Sequence, residues 1–280
     1  MELQNQLKEI VKQKYSEIAL QDKKTNETSC CGSGCCTTEV YNIMNDDYTN
    51  LKGYNAEADL GLGCGLPTQF AQIKKGDTVI DLGSGAGNDC FIARAETGEA
   101  GKVIGIDFTD AMLDLARKNA EKRGFQNVEF RKGYIEKIPV TANSADVIVS
   151  NCVLNLVPDK DRVFKEIRRV LKPGAHFSIS DIVLEGSLPS QIREAAEMYA
   201  GCVSGAIQKQ AYLELIEVNG FQNIKVQKEK KIDIPEDILS NYLSAEQIIQ
   251  YKNSGSGIHS ITVFAQKSNE DCCTSDCCKS

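Results

Sequence analysis

Between Thr78 and about Val183, short runs of β-branched and aliphatic residues alternate with stretches of helical period. The runs are Val79–Leu82, Val103–Ile106, Val128–Phe130, Asp146–Ser150 and His176–Ser180. Between them the spacing of apolar positions predicts helices over 88–97, 110–123 and 159–171. The last is stopped by Leu171-Lys-Pro-Gly174. Strand, helix and strand repeated in this way imply a parallel sheet with helices on both faces, an α/β fold.

The flanks read differently. Residues 1–20 form one amphipathic pattern through Leu3, Leu7, Ile10, Val11, Tyr15 and Ile18. Its apolar stripe is narrow and not strongly basic, so the helix is expected to pack on the domain and not on a membrane. Residues 21–39 are polar and read as a loop; residues 40–75 are mixed, with the glycine-rich stretch Gly61-Leu-Gly-Cys64-Gly-Leu-Pro67. Beyond Val183, helical patterns fall at 189–200 and 208–219, the second closed by Asn219-Gly220. The runs Ile224–Ile232 and Ser260–Gln266 read as a last, antiparallel pair of the same sheet. From Ser268 the chain is polar, cysteine-rich and expected to be disordered.

Composition narrows the function. The 280 residues carry 41% hydrophobic and 25% charged side chains, an ordinary globular mixture. Net charge is −7, which argues against a general nucleic-acid binder. There is no run of ~18 apolar residues to span a membrane, and Met1–Tyr15 lacks the apolar core of a signal peptide. A reducing cytoplasm is the expected compartment. Twelve cysteines then stand out. Eight form two CCxxxCC clusters, at Cys30-Cys31/Cys35-Cys36 and Cys272-Cys273/Cys277-Cys278. Cys64, Cys90, Cys152 and Cys202 are single. In a chain of this size, in a reducing compartment, they point to soft-metal or redox chemistry and not to a disulfide framework. Cys90, beside Phe91 and Ile92, reads as packing, and His176 and His259 read as structural.

The strongest local signal is Val79-Ile-Asp81-Leu-Gly83-Ser-Gly85-Ala-Gly87, a glycine turn between a strand and a helix. Its G-x-G-x-G spacing is not that of dinucleotide binders. An acid at Asp81 would repel a pyrophosphate but suits a cationic group, such as the amino group of a methionine moiety. Asp107 ends the next strand, where an acid accepts ribose hydroxyls. Gly133-Tyr-Ile135-Glu136 follows the third strand, where an adenine edge can be read.

Asp81, Gly83, Gly85, Asp107, Glu136 and Asp146 together resemble the seven-stranded, S-adenosylmethionine-dependent methyltransferase superfamily over about residues 65–185. The segments Leu62–Pro67, Asp81–Phe91, Ser150–Lys160 and Tyr199-Ala-Gly-Cys202 resemble, more narrowly, bacterial arsenite methyltransferases, a likeness that covers about residues 5–266. This resemblance implies a Rossmann-like seven-stranded sheet with helices on both faces, plus a C-terminal α+β substrate region. Implied donor contacts are Asp81, Gly83, Ser84, Gly85 and Gly87, then Asp107, Phe108 and Met112, then Ile135, Glu136 and Asn151. Cys152 and Cys202 are implied to hold arsenic(III), with Cys64 as third thiol or as partner in a redox disulfide. One N-terminal cysteine, Cys35 or Cys36, joins the redox cycle. The substrates are then arsenite and methylated arsenicals, the role is detoxification, and a thiol reductant of glutathione or thioredoxin type is the partner. No nucleic-acid or membrane partner is expected. The expected units are an N-terminal helix and cysteine loop (1–60), a donor-binding domain (61–185), an arsenic-binding region (186–267) and a tail (268–280).

Two other readings compete. A methyltransferase for a carbon or oxygen acceptor needs the same nucleotide half but tolerates serine at Cys64, Cys152 and Cys202. A metalloid-sequestering protein would work through its two CCxxxCC clusters. The Gly83, Gly85 and Asp107 set argues against the second.

Overall fold

A computed structural model describes residues 2–20, 46–187, 203, 205–233, 236–240 and 242–269. The N-terminal cysteine cluster, the expected helix at 189–200, Cys202 and the cysteines of the tail lie outside the described residues.

Seven strands form one sheet in the order β3-β2-β1-β4-β5-β7-β6. They are β1 (Thr78–Leu82), β2 (Lys102–Asp107), β3 (Val128–Lys132), β4 (Ala145–Asn151), β5 (Leu171–Glu185), β6 (Phe221–Ile232) and β7 (Gly257–Lys267). Strands β1 to β5 are parallel, while β7 runs antiparallel to both its neighbours. The two C-terminal runs therefore complete the sheet begun by the nucleotide half.

Period two explains the layers. Val79, Val103, Val147 and Val149 face α3 (Asn88–Thr97) and α4 (Asp110–Lys122), packing on Phe91, Met112, Leu113 and Ala116. Ile80, Leu82, Ile104, Ile106 and Ile148 face the other way, toward Val163, Phe164 and Ile167 of α5 (Lys160–Val170) and Tyr212 and Ile216 of α6 (Lys209–Val218). Both faces are covered, so the central strands are continuous apolar runs without alternation. The edge strand β6 instead exposes Lys225, Lys230 and Lys231; charged edge residues discourage pairing with another chain.

Strand β5 is longer than its sequence run, starting directly at Leu171 and continuing to Glu185. Two short helices precede β7: α7 (Glu236–Leu239) and α8 (Ala245–Asn253). The second opens with a capping box, Ser244 and Gln247 each bonding the other's main chain. Helix α1 (Glu2–Ala19) packs on α4, burying Val11 and Ile18. A single turn, α2 (Pro67–Phe70), follows the glycine-rich stretch.

Candidate active site

In an open parallel sheet, ligands bind beyond the carboxyl ends of the strands where strand order reverses. Here that point lies between β1 and β4. A cleft of about 1120 Å³, its open mouth included, sits there. Its walls come from the ends of β1, β2 and β4, from residues 58–63 and 133–136, and from Val11 and Tyr15 of α1.

Of the donor contacts expected from sequence, Asp81, Gly83, Ser84, Gly85, Asp107, Phe108, Met112, Ile135, Glu136 and Asn151 all line this cleft. Gly87 does not. It caps α3 at φ 96°, and a Cβ there would meet the rings of Phe130 and Phe91 at 2.9 and 3.0 Å. Its role is turning the chain and packing. Gly85 is the opposite case: φ is 49°, and the nearest atom to a Cβ would be Met112 Sδ at 4.0 Å. The backbone there is bare toward the cleft.

The floor is acidic. Asp59, Asp81, Asp89 and Asp107 are all lining residues, and among the described residues no lysine or arginine joins them. Burial pushes the Asp81 carboxyl well up, and the charges of Asp89 and Asp107 add to this; the Cys90 thiol, donating at 3.2 Å, opposes it. Asp89 is pushed to about 6, burial outweighing the hydrogen bonds from Tyr48, Asn151 and Thr68. Burial also raises Asp107, against the N–H groups of Thr109 at 2.8 Å and Gly85 at 3.0 Å. The Thr109 side chain and the Phe108 N–H also act on this carboxylate. One buried hydroxyl on the wall, Ser84 Oγ, lacks a hydrogen-bond partner among the described residues. Phe108 and Tyr134 stack at 5.8 Å and form an aromatic slab beside it.

The thiols fall into two groups. Cys90 is fully buried in α3 and bonded to Asp81. Cys64 and Cys152 share one apolar cluster with Val11, Leu156, Val203 and Ile258. Cys152 also lines the cleft, held at φ 60° with its N–H on the Ser180 carbonyl at 2.8 Å. A left-handed conformation in a residue other than glycine is strained, and such strain concentrates at functional sites. The structure thus brings Cys64 and Cys152 together; Cys202 and Cys36 are outside the described residues.

Both histidines sit away from the thiols. His176 Nε2 meets the Ala71 carbonyl at 2.6 Å. His259 joins Glu185 and Glu229, whose carboxylates Lys209 Nζ already bridges at 3.2 and 2.7 Å.

Sequence reasoning gave no role to Tyr48, Asp59, Asp89 or Tyr134. Asp89 lies in the first turn after the glycine loop, where its acidity was visible. Tyr48 reaches Asp89 across 41 residues of sequence, a contact no local pattern reveals.

A family profile described as a methyltransferase domain matches residues 73–241. The chain belongs to this methyltransferase family. It is 39% identical over 236 residues to an arsenite methyltransferase of Halobacterium salinarum, covering 78% of this chain and 58% of the relative. An arsenite methyltransferase of Aquipseudomonas alcaligenes is 31% identical over 242 residues, 84% of this chain and 68% of that one. Among solved structures, the arsenic(III) S-adenosylmethionine methyltransferase CrArsM from Chlamydomonas reinhardtii superposes with a TM-score of 0.62 at 33% identity, covering 74% of this chain and 68% of that one. The chain thus spans under three fifths of the length of its Halobacterium relative.

Proposed function

We propose that this methyltransferase transfers methyl groups from S-adenosylmethionine to trivalent arsenic held by protein thiols, giving methylated arsenicals. The observation that carries this reading is the pairing of Cys64 and Cys152 in one buried cluster, with Cys152 opening onto an acidic cleft. Relatives named arsenite methyltransferases support it.

The residues present fit the donor. The acidic lining suits its positive centres, the bare backbone at Gly85 admits close approach, and Ser84 offers an unused hydroxyl. When bound, S-adenosylmethionine supplies an electrophilic methyl group on a sulfonium. Asp81 and Asp89 would hold its cationic end, Asp107 its hydroxyls, and the Phe108–Tyr134 slab its flat ring.

The substrate needs no general base. Arsenic bound to sulfur keeps a lone pair, so the thiols' task is to aim it at the cleft; positioning of this kind is worth ~7–11 kcal/mol. Soft thiolates suit the ion. Cys152 and Cys202 would hold the arsenic, with Cys64 as the third thiol or as partner in the redox disulfide; Val203, next to Cys202 in sequence, is buried in the Cys64–Cys152 cluster. Residues 186–267 would then supply Cys202 to the donor-binding half. After each transfer arsenic is formally pentavalent. Oxidation of two enzyme thiols to a disulfide, with Cys36 as the N-terminal member, supplies two electrons and returns it to the trivalent state. A thiol reductant of glutathione or thioredoxin type then reduces the disulfide, a cycle that belongs in a reducing cytoplasm and serves detoxification. Among the described residues no helix is long and apolar enough to cross a membrane.

The test is arsenite-dependent methyl transfer from labelled S-adenosylmethionine in excess thiol. Wild type should require arsenite, and Cys152→Ser should lose transfer by at least ~100-fold while still binding S-adenosylhomocysteine. Transfer that survives in Cys152→Ser would refute thiol-held arsenic. Donor binding with no arsenite-dependent transfer in wild type would move the search to carbon, oxygen or nitrogen acceptors.

A further inference from the structure

The main chain around Cys64 is held more firmly than a connecting loop requires. Asn151 Oδ1 accepts from the Cys64 N–H at 3.0 Å, and Asn151 Nδ2 donates to the Gly65 carbonyl at 2.8 Å. One side-chain amide grips two successive residues. The Cys64 carbonyl accepts from Ser260 Oγ of β7, and the Gly65 carbonyl also accepts from the Tyr48 hydroxyl at 3.0 Å.

The glycines on either side of Cys64 are there for room. A Cβ on Gly63 would stand 2.7 Å from Asn151 Nδ2, and one on Gly65 2.5 Å from Ser180 Oγ. The segment is pressed against the carboxyl ends of β4 and β5, which leaves the Cys64 main chain little latitude.

Asn151 has no donor to spare. Besides Gly65, its Nδ2 reaches the Tyr48 hydroxyl and, at 3.3 Å, Asp89 Oδ2. An amide nitrogen carries two hydrogens, and three acceptors surround it. Although Asn151 lines the cleft, its hydrogen-bonding capacity is directed at protein. It also immediately precedes Cys152, so the residue beside one thiol clamps the backbone of the other.

We propose that Asn151 is a positioning residue, whose amide fixes the Cys64 thiol relative to Cys152, and that it does not bind the methyl donor. This rests on the reading that thiols hold arsenic. Partners that orient ligands in this way are worth ~10–100-fold in affinity for the bound ion.

The experiment compares full-length wild type, Asn151→Ala and Asn151→Asp. Asparagine to aspartate keeps the acceptor for the Cys64 N–H, loses the donor to Gly65 and puts a charge beside Asp89. S-adenosylhomocysteine binding is measured by calorimetry, arsenite binding by equilibrium dialysis, and the number of sulfur neighbours by X-ray absorption at the arsenic edge. Asn151→Ala should keep the affinity for S-adenosylhomocysteine, and both variants should bind arsenite at least ~10-fold more weakly and show fewer sulfur neighbours. Loss of S-adenosylhomocysteine affinity in Asn151→Ala as large as its loss for arsenite would overturn the proposal and make Asn151 a donor ligand. Unchanged arsenite affinity and sulfur count would overturn it too. If the alanine variant does not fold, the aspartate variant decides. Wild type that binds S-adenosylhomocysteine but not arsenite would defeat the thiol reading itself, and does so before any substitution is made.

Discussion

Asp181 shows what a single residue can cost. It lies on β5 with no exposed surface. Burial pushes its carboxyl from 3.8 up to about 7, although Lys160, the Ile182 N–H and the Tyr212 hydroxyl all pull the other way. The folded state therefore favours the neutral acid. That contribution to stability is complete below pH 3.8, where the acid is neutral in both states, and is lost as pH rises through about 7. Asp181→Asn removes the titration at nearly constant shape. Its gain over wild type should grow between pH 5 and pH 8, by ~2–3 kcal/mol or several degrees in melting temperature. Thermal melts of both proteins at the two pH values measure this. A difference independent of pH would mean that Asp181 stays ionised beside Lys160. Burial and Asp181 also raise the Tyr212 hydroxyl, and thiolates at Cys64 and Cys152 would raise it further.

Among the elements, helix α5 is the plainest case of sequence dictating structure. Asp159 caps it, its Oδ1 accepting from the Arg162 N–H at 3.0 Å, and Arg168 and Arg169 fall in its last turn, where cations suit the helix dipole. Asp159→Ala should cost ~1 kcal/mol, a fall of ~2–4 °C in melting temperature, with S-adenosylhomocysteine binding intact. A melt that did not move would show that packing of Val163, Phe164 and Ile167 alone holds this end. Strong local signals of this kind made most elements legible: α3 begins and ends where the periodicity places it, and β1, β2 and β4 sit within a residue or two of their apolar runs. The exceptions have physical reasons. Beyond Ser180, β5 continues through Asp181 to Glu185 because β7 pairs with it there, as in Val183 with His259, and a partner supplied 76 residues later leaves no local mark. Helix α8 has a capping box, but its nine residues bury only Ile248, too little for a periodic pattern. The site divides in the same way. The glycine loop and Asp107 were readable because strand, turn and helix are contiguous. Tyr48 and Asp59 were not, since they reach the cleft from a stretch with neither strand nor helix period.

At the scale of the whole molecule, net charge and topology act on the same place. The chain carries −7, and the strand order gathers Asp59, Asp81, Asp89 and Asp107 at the point between β1 and β4, where no lysine or arginine among the described residues lines the cleft. Burial raises Asp81, Asp89 and Asp107 alike, and neighbouring carboxylates add to it at Asp81, from Asp89 and Asp107, and at Asp89, from Asp59. A folded protein that keeps such a cleft gives up stability whenever the acids ionise, and a cationic ligand returns it. Ligand-induced stabilisation follows RT ln(1 + [L]/Kd), so affinity reads directly as a thermal shift. S-adenosylmethionine carries a sulfonium and S-adenosylhomocysteine a neutral thioether; otherwise they offer the cleft the same groups. Asp89, pushed to about 6, is mostly neutral at pH 5 and ionised at pH 8. The shift given by S-adenosylmethionine should therefore exceed that of S-adenosylhomocysteine, and the excess should be larger at pH 8 than at pH 5. In Asp89→Asn the pH dependence of that excess should shrink. Equal shifts from the two ligands at both pH values would mean that the acidic floor holds the ammonium alone, and that the sulfonium is placed by the rest of the cleft wall.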